Sequence, residues 1–343
     1  MAVTPEPLVA GRRVAVIDCG SNSTRLLLAT VSGGRVLDAH RRTVITRLAA
    51  QVDRTGRLSD EAVDRVARVL KGFAERWRAE DVHDVAVCAT SAVRDAANAS
   101  LLVRAVEQAT GVTPVVLSGV DEADLTFAGG VRASGSEPAG GDRWVRASGS
   151  EPAGTVRRVV CDIGGGSTEL IVGRAAPEHR VSLQLGGVRL RERHLHSDPP
   201  TVDEYAALIA DVDGVLERLP DVFMAEGDVP LVAVAGTATT LAGVAAGLDA
   251  DAADRVDGMV LTAADVRQVL ERLAWIPAHR RLLHAAVVPG REDVIVAGGL
   301  LLVRVLEHFG FAAVEVRVAD LLDGIALRLA AGEWPRPGTP VGA

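Results

Sequence analysis

Apolar residues follow two rhythms along this chain. Near-continuous apolar runs that stop at Gly- or Ser-rich turns predict buried strands, and apolar positions recurring every third or fourth residue predict amphipathic helices. Arg13–Thr30 reads as strand, turn, strand: VAVID, then CGSNST, then RLLLATV. A strand around Arg35–Val44 would complete a three-strand meander. Ser59–Arg78 carries apolar residues at 62, 63, 66, 67, 69, 70, 73, 74 and 77, a helix with Ser59 as N-cap. Val82–Cys88 reads as a buried strand, Ala96–Thr110 as a helix ended by Gly111, and Val115–Leu117 as a short strand, with Ser118 starting another helix. Later, LVAVA (231–235) reads as a strand, GTATT (236–240) as a loop and LAGVAAGL as a helix.

Two repeats stand out. VRASGSEPAG occurs at 131–140 and again at 145–154. Its Gly, Ser, Pro and Glu predict a solvated, mobile loop and a domain boundary. The second repeat spans the whole pattern: VIDCGSNSTRLLL (16–28) lies on VCDIGGGSTELIV (160–172). Asp18 meets Asp162, Gly20 meets Gly164, Ser23 meets Ser167 and Thr24 meets Thr168. Two copies of one strand–turn–strand unit, each opening about half of the chain, imply two similarly folded domains facing one another. The expected division is 13–128 and 157–332, with 129–156 as insertion or linker, 333–343 as tail, and a last helix able to pack back on the first domain.

Length and composition narrow the class. At 343 residues the chain has room for about two domains. Apolar residues at 48% and charged residues at 24% exclude global disorder. The five Phe, four Trp and one Tyr are too few for a stacking platform on single-stranded nucleic acid. A net charge of −8 provides no basic field for DNA, RNA or anionic lipid, so neither nucleic acid nor membrane is an expected partner. Cys19, Cys88 and Cys161 form no C-x-x-C pair, which suggests buried thiols in a reduced, cytoplasmic protein. The N-terminal MAVTPEPLVAGRR has no apolar core of a signal peptide. The charge-free stretch Val229–Leu248 contains Pro230, three Gly and three Thr and is not read as a membrane span.

The chemistry lies in the repeated turn. Glycines let a turn take positive φ and let backbone N–H groups converge on an anion. Ser and Thr hydroxyls add donors. An Asp at the strand end, beside a phosphate cradle, can hold a divalent cation directly or through water. One such hairpin is weak evidence, since tight hairpins use Gly, Asp and Asn anyway; two matching copies favour phosphate binding. No G-x-x-x-x-G-K-[ST] exists, and GGGS lies inside a hairpin rather than between a strand and a long helix. GTATT ahead of a helix is a third candidate, because helix N-termini attract anions, although ordinary Thr capping explains it equally well. Ser118 and Asp121 form an S-x-x-D capping pair, so Asp121 reads as structural and Glu122, one step round, is free to orient a water. Arg94 follows a strand end where a guanidinium could take phosphate oxygens, or could pair with Asp95. Arg189, Arg191 and Arg193 could line a polyanion path or form the solvent face of a helix.

IDCGSNSTRLLL (17–28), ATSAVRDAAN (89–98), LSGVDEADLTFAG (117–129), VCDIGGGSTELIVG (160–173), LGGVRLRERHL (185–195), AGTATTLAG (235–243) and DVIVAGGLLL (293–302) occur in one order. Together they resemble the Ppx/GppA family of the actin-like phosphotransferase superfamily, the exopolyphosphatases and guanosine pentaphosphate phosphohydrolases. The resemblance implies an α/β fold of two ribonuclease-H-like domains with an interdomain cleft. It also implies hydrolysis of a terminal phosphate from inorganic polyphosphate, or from guanosine pentaphosphate, aided by Mg²⁺ with Mn²⁺ as an alternative. By the same resemblance Glu122 is the general base, with Glu169 acting on metal and water. Asp18 and Asp162 anchor the metal, and Ser21, Asn22, Ser23, Gly164, Gly165, Gly166, Ser167 and Thr168 cradle phosphate, to which the helix-start reading of GTATT adds Thr237. Arg94 is a basic residue of the cleft, and a homodimer is expected. An actin-like kinase and a non-catalytic sensor of polyphosphate or alarmone remain as alternatives.

Overall fold

The computed structural model describes residues 11–132, 156–250 and 252–335. Nearly all of the duplicated VRASGSEPAG segment, and the expectation of a mobile loop there, lies outside those residues, as do positions 336–343 of the tail.

The first sheet contains β1 (Arg12–Cys19), β2 (Ser23–Ser32), β3 (Arg35–Ile45), β4 (Asp84–Ala89) and β5 (Val115–Val116), in the order β3-β2-β1-β4-β5. The first three form the expected antiparallel meander, and β4 lies parallel to β1. The second sheet repeats this plan with β6 (Arg158–Ile163), β7 (Thr168–Gly173), β8 (Pro177–Leu183), β9 (Leu231–Val234), β10 (Val260–Thr262) and β11 (Ala313–Val316), in the order β10-β11-β9-β6-β7-β8. Here β6, β9 and β11 run parallel, and β10 adds an antiparallel edge. This is the ribonuclease-H-like arrangement twice over. The near-unbroken apolar runs of β1 and β6 follow from burial on both faces.

Two helices cover the first sheet's outer face: α1 (Asp60–Ala79) and α2 (Ala99–Thr110). Ser59 caps α1 by accepting from the Ala62 N–H at 3.2 Å. The apolar positions of α1 fall on one side, with Val63, Val66, Leu70, Phe73 and Trp77 in the core. In the second half, α4 (Gly187–His194), α5 (Val202–Leu216), α6 (Ala235–Ala246), α7 (Ala263–Ala274) and α8 (Ile295–Phe309) enclose the largest core; α3 is Gly119–Arg132 and α9 is Leu321–Ala331.

Helices α3 and α9 lie between the sheets. On α3, Ala123, Phe127 and Val131 pack on Val160, Ile171, Val232 and Val234 of the second sheet, while Leu125 joins Val14 and Val16 of the first. The last helix brings Leu321, Leu322 and Ile325 to that same first-sheet cluster. The two helices cross where Gly129 meets the Asp320 carbonyl and Gly324 meets the Leu125 carbonyl; a Cβ at either glycine would overlap backbone. The halves are therefore interleaved, and no single residue divides them. Among the described residues no helix is long and apolar enough to cross a membrane.

Candidate active site

In open α/β sheets ligands collect at the carboxyl ends of parallel strands. Here those ends belong to β1, β4, β6 and β9. The two repeated turns close identically: the Gly20 N–H donates to the Ser23 carbonyl at 3.0 Å, and the Gly164 N–H to the Ser167 carbonyl at 3.0 Å. The turns are in direct contact across the cleft. A Cβ added to Gly165 would stand 2.9 Å from Ser21 Cβ, and one added to Gly166 would stand 2.6 Å from Ser91 Oγ. Only glycine permits an approach this close.

Between the turns lies a cavity of about 100 Å³. Of the residues singled out from sequence, Asp18, Ser21, Asn22, Ser23, Glu122, Asp162, Gly164, Gly165, Ser167 and Thr237 line it. Arg94, Gly166, Thr168 and Glu169 stand outside that lining. Gly166 packs the turn against Ser21 and Ser91, and its carbonyl accepts from Arg189 Nε at 2.8 Å. Thr168 is fully buried beneath the turn. GTATT is not a loop: α6 begins at Ala235, so Gly236 and Thr237 form its first turn with N–H groups unmatched inside the helix. Ala235 takes φ 63, which swings the chain from β9 straight into that helix.

Four carboxylates gather here, all buried. In the hairpin register Asp18 faces Arg25 and Asp162 faces Glu169, so the repeat places a cation in one copy where the other has an acid. Arg25 donates to Asp18 through Nε at 3.0 Å and Nη2 at 2.9 Å, and also pairs with Asp320 at the start of α9. Burial still raises Asp18, with Arg25 opposing the rise. Burial and then Glu169 push Asp162 up to about 8. Burial brings Glu169 to about 7 against the lowering effect of the Ser182 hydroxyl, which donates at 2.7 Å. Glu122 lies well above the ordinary carboxylate range, first through burial and then through Glu169.

Arg94 holds this acid in place, donating through Nη1 to Glu122 Oε2 at 3.2 Å and to the Leu117 carbonyl at 2.8 Å. Its Nη2 is buried without a partner. Asp95, the alternative partner weighed for Arg94, pairs instead with Arg189. Ser118 caps α3 with Asp121 as expected: Ser118 Oγ accepts from the Asp121 N–H at 3.1 Å and donates to its carboxylate at 2.6 Å. The three cysteines are free and buried, with burial raising each thiol. They are packing residues.

Sequence reasoning missed Arg25, Ser91 and Arg291. Ser91 Oγ shares a hydrogen bond with Ser21 Oγ at 2.9 Å. Arg291 reaches the cavity from the segment before α8, where Nη1 donates to Thr240 Oγ1 at 2.9 Å and to the Gly236 carbonyl at 3.2 Å. Burial lowers it to about 10. The signal for Arg25 was present in the 16–28 and 160–172 overlay, as the one position where the copies carry opposite charge. Arg291 lies outside every repeat.

The donor set fits a hard divalent cation. Four buried carboxylates stand near the guanidinium groups of Arg25 and Arg94, and burial raises each carboxyl in spite of them. Among the described residues no three His, Cys, Asp or Glu side chains converge on one point. Protein oxygens would thus supply one or two ligands, with phosphate and water completing the shell, as is usual for Mg²⁺. Asp162 is the freer of the two, since it accepts from Thr126 Oγ1 at 3.3 Å, whereas Asp18 is engaged by the Arg25 guanidinium.

Two ribonuclease-H-like halves that present matching glycine turns to a shared acidic cleft define a protein of the actin-like fold. The chain belongs to the Ppx/GppA phosphatase family, whose model matches residues 27–140 and 147–331. It is 36% identical over 332 residues to exopolyphosphatase 2 of Mycobacterium tuberculosis, an alignment spanning 93% of this chain and 98% of the relative. It is 31% identical over 211 residues to the guanosine-5'-triphosphate,3'-diphosphate pyrophosphatase of Pseudoalteromonas atlantica, covering 61% of this chain and 38% of that one. The crystal structure of an exopolyphosphatase from Cytophaga hutchinsonii superposes with a TM-score of 0.79 at 25% identity, covering 97% of this chain and all 100% of that one.

Proposed function

We propose that this chain is an exopolyphosphatase: it releases the terminal phosphate of inorganic polyphosphate by attack of water. The observation that carries this reading is the meeting of the two glycine turns at one cavity that also contains the buried carboxylate of Glu122. In this reading the N–H groups and hydroxyls of Ser21, Asn22, Ser23, Gly164, Gly165, Ser167 and Thr237 hold the last phosphates. Arg94 orients Glu122, which takes a proton from the attacking water as the water oxygen bonds to phosphorus and the bridging oxygen departs with the shortened chain. Glu169, one layer back, sets the charge around Glu122. A divalent cation, Mg²⁺ or Mn²⁺ near Asp162 and Asp18, would supply charge neutralisation of the phosphate oxygens. No residue forms a covalent intermediate.

Hydrolysis of guanosine pentaphosphate is the second reading, favoured by the similarity to the P. atlantica pyrophosphatase. Phosphate release from long-chain polyphosphate, tripolyphosphate, guanosine pentaphosphate and ATP, each with Mg²⁺ or Mn²⁺, tests both. Release from none of them, with tight polyphosphate binding, would make the protein a sensor. Phosphate appearing only when a second acceptor is supplied would make it a kinase. The buried free thiols suit a reducing, cytoplasmic setting, and the family resemblance favours a homodimer.

A further inference from the structure

The cavity between the turns adjoins a larger groove of about 620 Å³. The two share walls at Arg25, Ala235, Gly236 and Arg291. The groove is of the size of ordinary ligand sites, whereas the inner cavity is smaller than they are. Its charged lining is Arg25, Arg41, Arg42 and Arg291 against Asp249 and Asp320, and among the described residues no Phe, Trp, Tyr or His lines it.

Arg41 stands on β3, the edge of the first sheet, and is anchored from α9. It donates through Nη1 at 3.0 Å and Nη2 at 2.6 Å to Asp323, which is 1% exposed. The grip is two-pointed and takes two of the five guanidinium N–H donors, so the fork is fixed with donors to spare. Asp323 is itself fixed, accepting from the Asp320 N–H at 2.9 Å in the capping box of α9. Asp320 in turn holds Arg25, at the point where groove and cavity meet. The last helix thus sets two guanidinium groups along one wall.

We propose that this groove is a subsite for the phosphates behind the bond that is cut, and that Arg41, positioned by Asp323, makes the enzyme favour long linear polyanions over short ones. The proposal rests on the polyphosphate reading above. Guanidinium groups spaced along a wall match a repeating anion, since each can take oxygens from a different phosphate. Among the described residues of the groove a nucleoside would find no ring to stack on.

The test compares wild type, Arg41→Gln and Arg41→Lys on long-chain polyphosphate, tripolyphosphate and guanosine pentaphosphate. Losing one charge-assisted contact corresponds to about tenfold in affinity. The KM for long-chain polyphosphate should rise about tenfold in Arg41→Gln, and the tripolyphosphate KM should stay within about twofold, with Arg41→Lys between. An equal rise on both chain lengths overturns the subsite, and a rise confined to guanosine pentaphosphate makes it a nucleoside site. Arg41→Gln leaves Asp323 buried without its cation, so Arg41→Gln/Asp323→Asn removes both partners if the single variant does not fold. Calorimetric titration with long-chain polyphosphate separates the two proposals. Tight binding by wild type that is about tenfold weaker in Arg41→Gln, with no phosphate released, supports the groove and sinks the hydrolase reading. Equal binding by both proteins sinks the groove.

Discussion

Glu122 differs from the other three buried acids in coming from a helix rather than a hairpin strand; it stands in the cavity wall with Arg94 aimed at it. Replacing it with Gln keeps size and leaves Arg94 an acceptor. Steady-state phosphate release by Glu122→Gln should fall by about 10²- to 10⁴-fold with little change in KM. Activity within tenfold of wild type would remove Glu122 as the base. The four acids also set a pH dependence. Each raised carboxyl holds its proton in the folded protein over a range where the unfolded chain has released it, so the folded state binds more protons and loses stability as pH rises. Asp162, at about 8, and Glu169, at about 7, place that loss between about pH 4.5 and 8 in protein stripped of divalent cations. The groups facing them are Asp18, Glu122, Asp320, Arg25 and Arg94, and the cluster titrates as a unit. Chelated wild type should therefore melt at a lower temperature at pH 8 than at pH 6, and Asp162→Asn should melt above wild type at pH 8 while losing activity. A midpoint for chelated wild type that climbs from pH 6 to 8 would contradict this account.

The hairpin is the element on which the site depends, and it was legible because its rules are local. A buried run, a Gly/Ser turn and a returning run specify a strand–turn–strand unit wherever they occur, and the 16–28 and 160–172 copies fold with the same closing hydrogen bond. The Ser118–Asp121 cap was legible for a similar reason, whereas a role for Glu122 came from the family resemblance and not from any local rule. Other features were decided by distant partners. Whether Arg94 faced phosphate or a carboxylate depended on α3, and whether Arg189 was solvent-facing depended on Asp53 and Asp95, far away in sequence. Arg189 turned out to be neither polyanion path nor solvent face. GTATT was misread as a loop because Thr and Gly are poor helix formers; tertiary contact with β6 and Arg291 overrides that propensity. The same tertiary closeness makes the second turn brittle. Gly165→Ala forces a methyl to within 3.0 Å of the Asn22 nitrogen and should part the turns by a few tenths of an ångström. Phosphate release should drop about tenfold or more, while the melting temperature hardly moves. Gly129→Ala, at the crossing of α3 and α9, is the converse: it should cost about 3 kcal/mol of stability, read in denaturant unfolding.

At the scale of the molecule, α3 and α9 join the halves at the back and ion pairs join them at the mouth. On one flank Arg189 of α4 reaches across to Asp53 and Asp95 while its Nε holds the Gly166 carbonyl, and Arg193 adds a second bond to Asp53 at 2.6 Å. On the other, Arg47 meets Asp293 at 3.1 Å, at 45% side-chain exposure. The two flanks differ in burial, since Arg189 is only 10% exposed, and an exposed pair contributes little. Arg189 is therefore the clamp, and its bond to Gly166 makes it a clamp on the phosphate turn itself. Removing it leaves Asp95 without its cation and lets the two turns separate. An in-line attack tolerates little misplacement, because about 1 Å can cost about 10²-fold. Arg189→Ala should accordingly lower kcat by about tenfold to a hundredfold, more than it raises KM, and should enlarge the radius of gyration of the ligand-free protein in small-angle scattering. Saturating polyphosphate should bring that radius back toward the wild-type value, since a polyanion gripped by both turns does the clamp's work. A variant with wild-type dimensions and an unchanged kcat would show that the back helices alone hold the cleft shut.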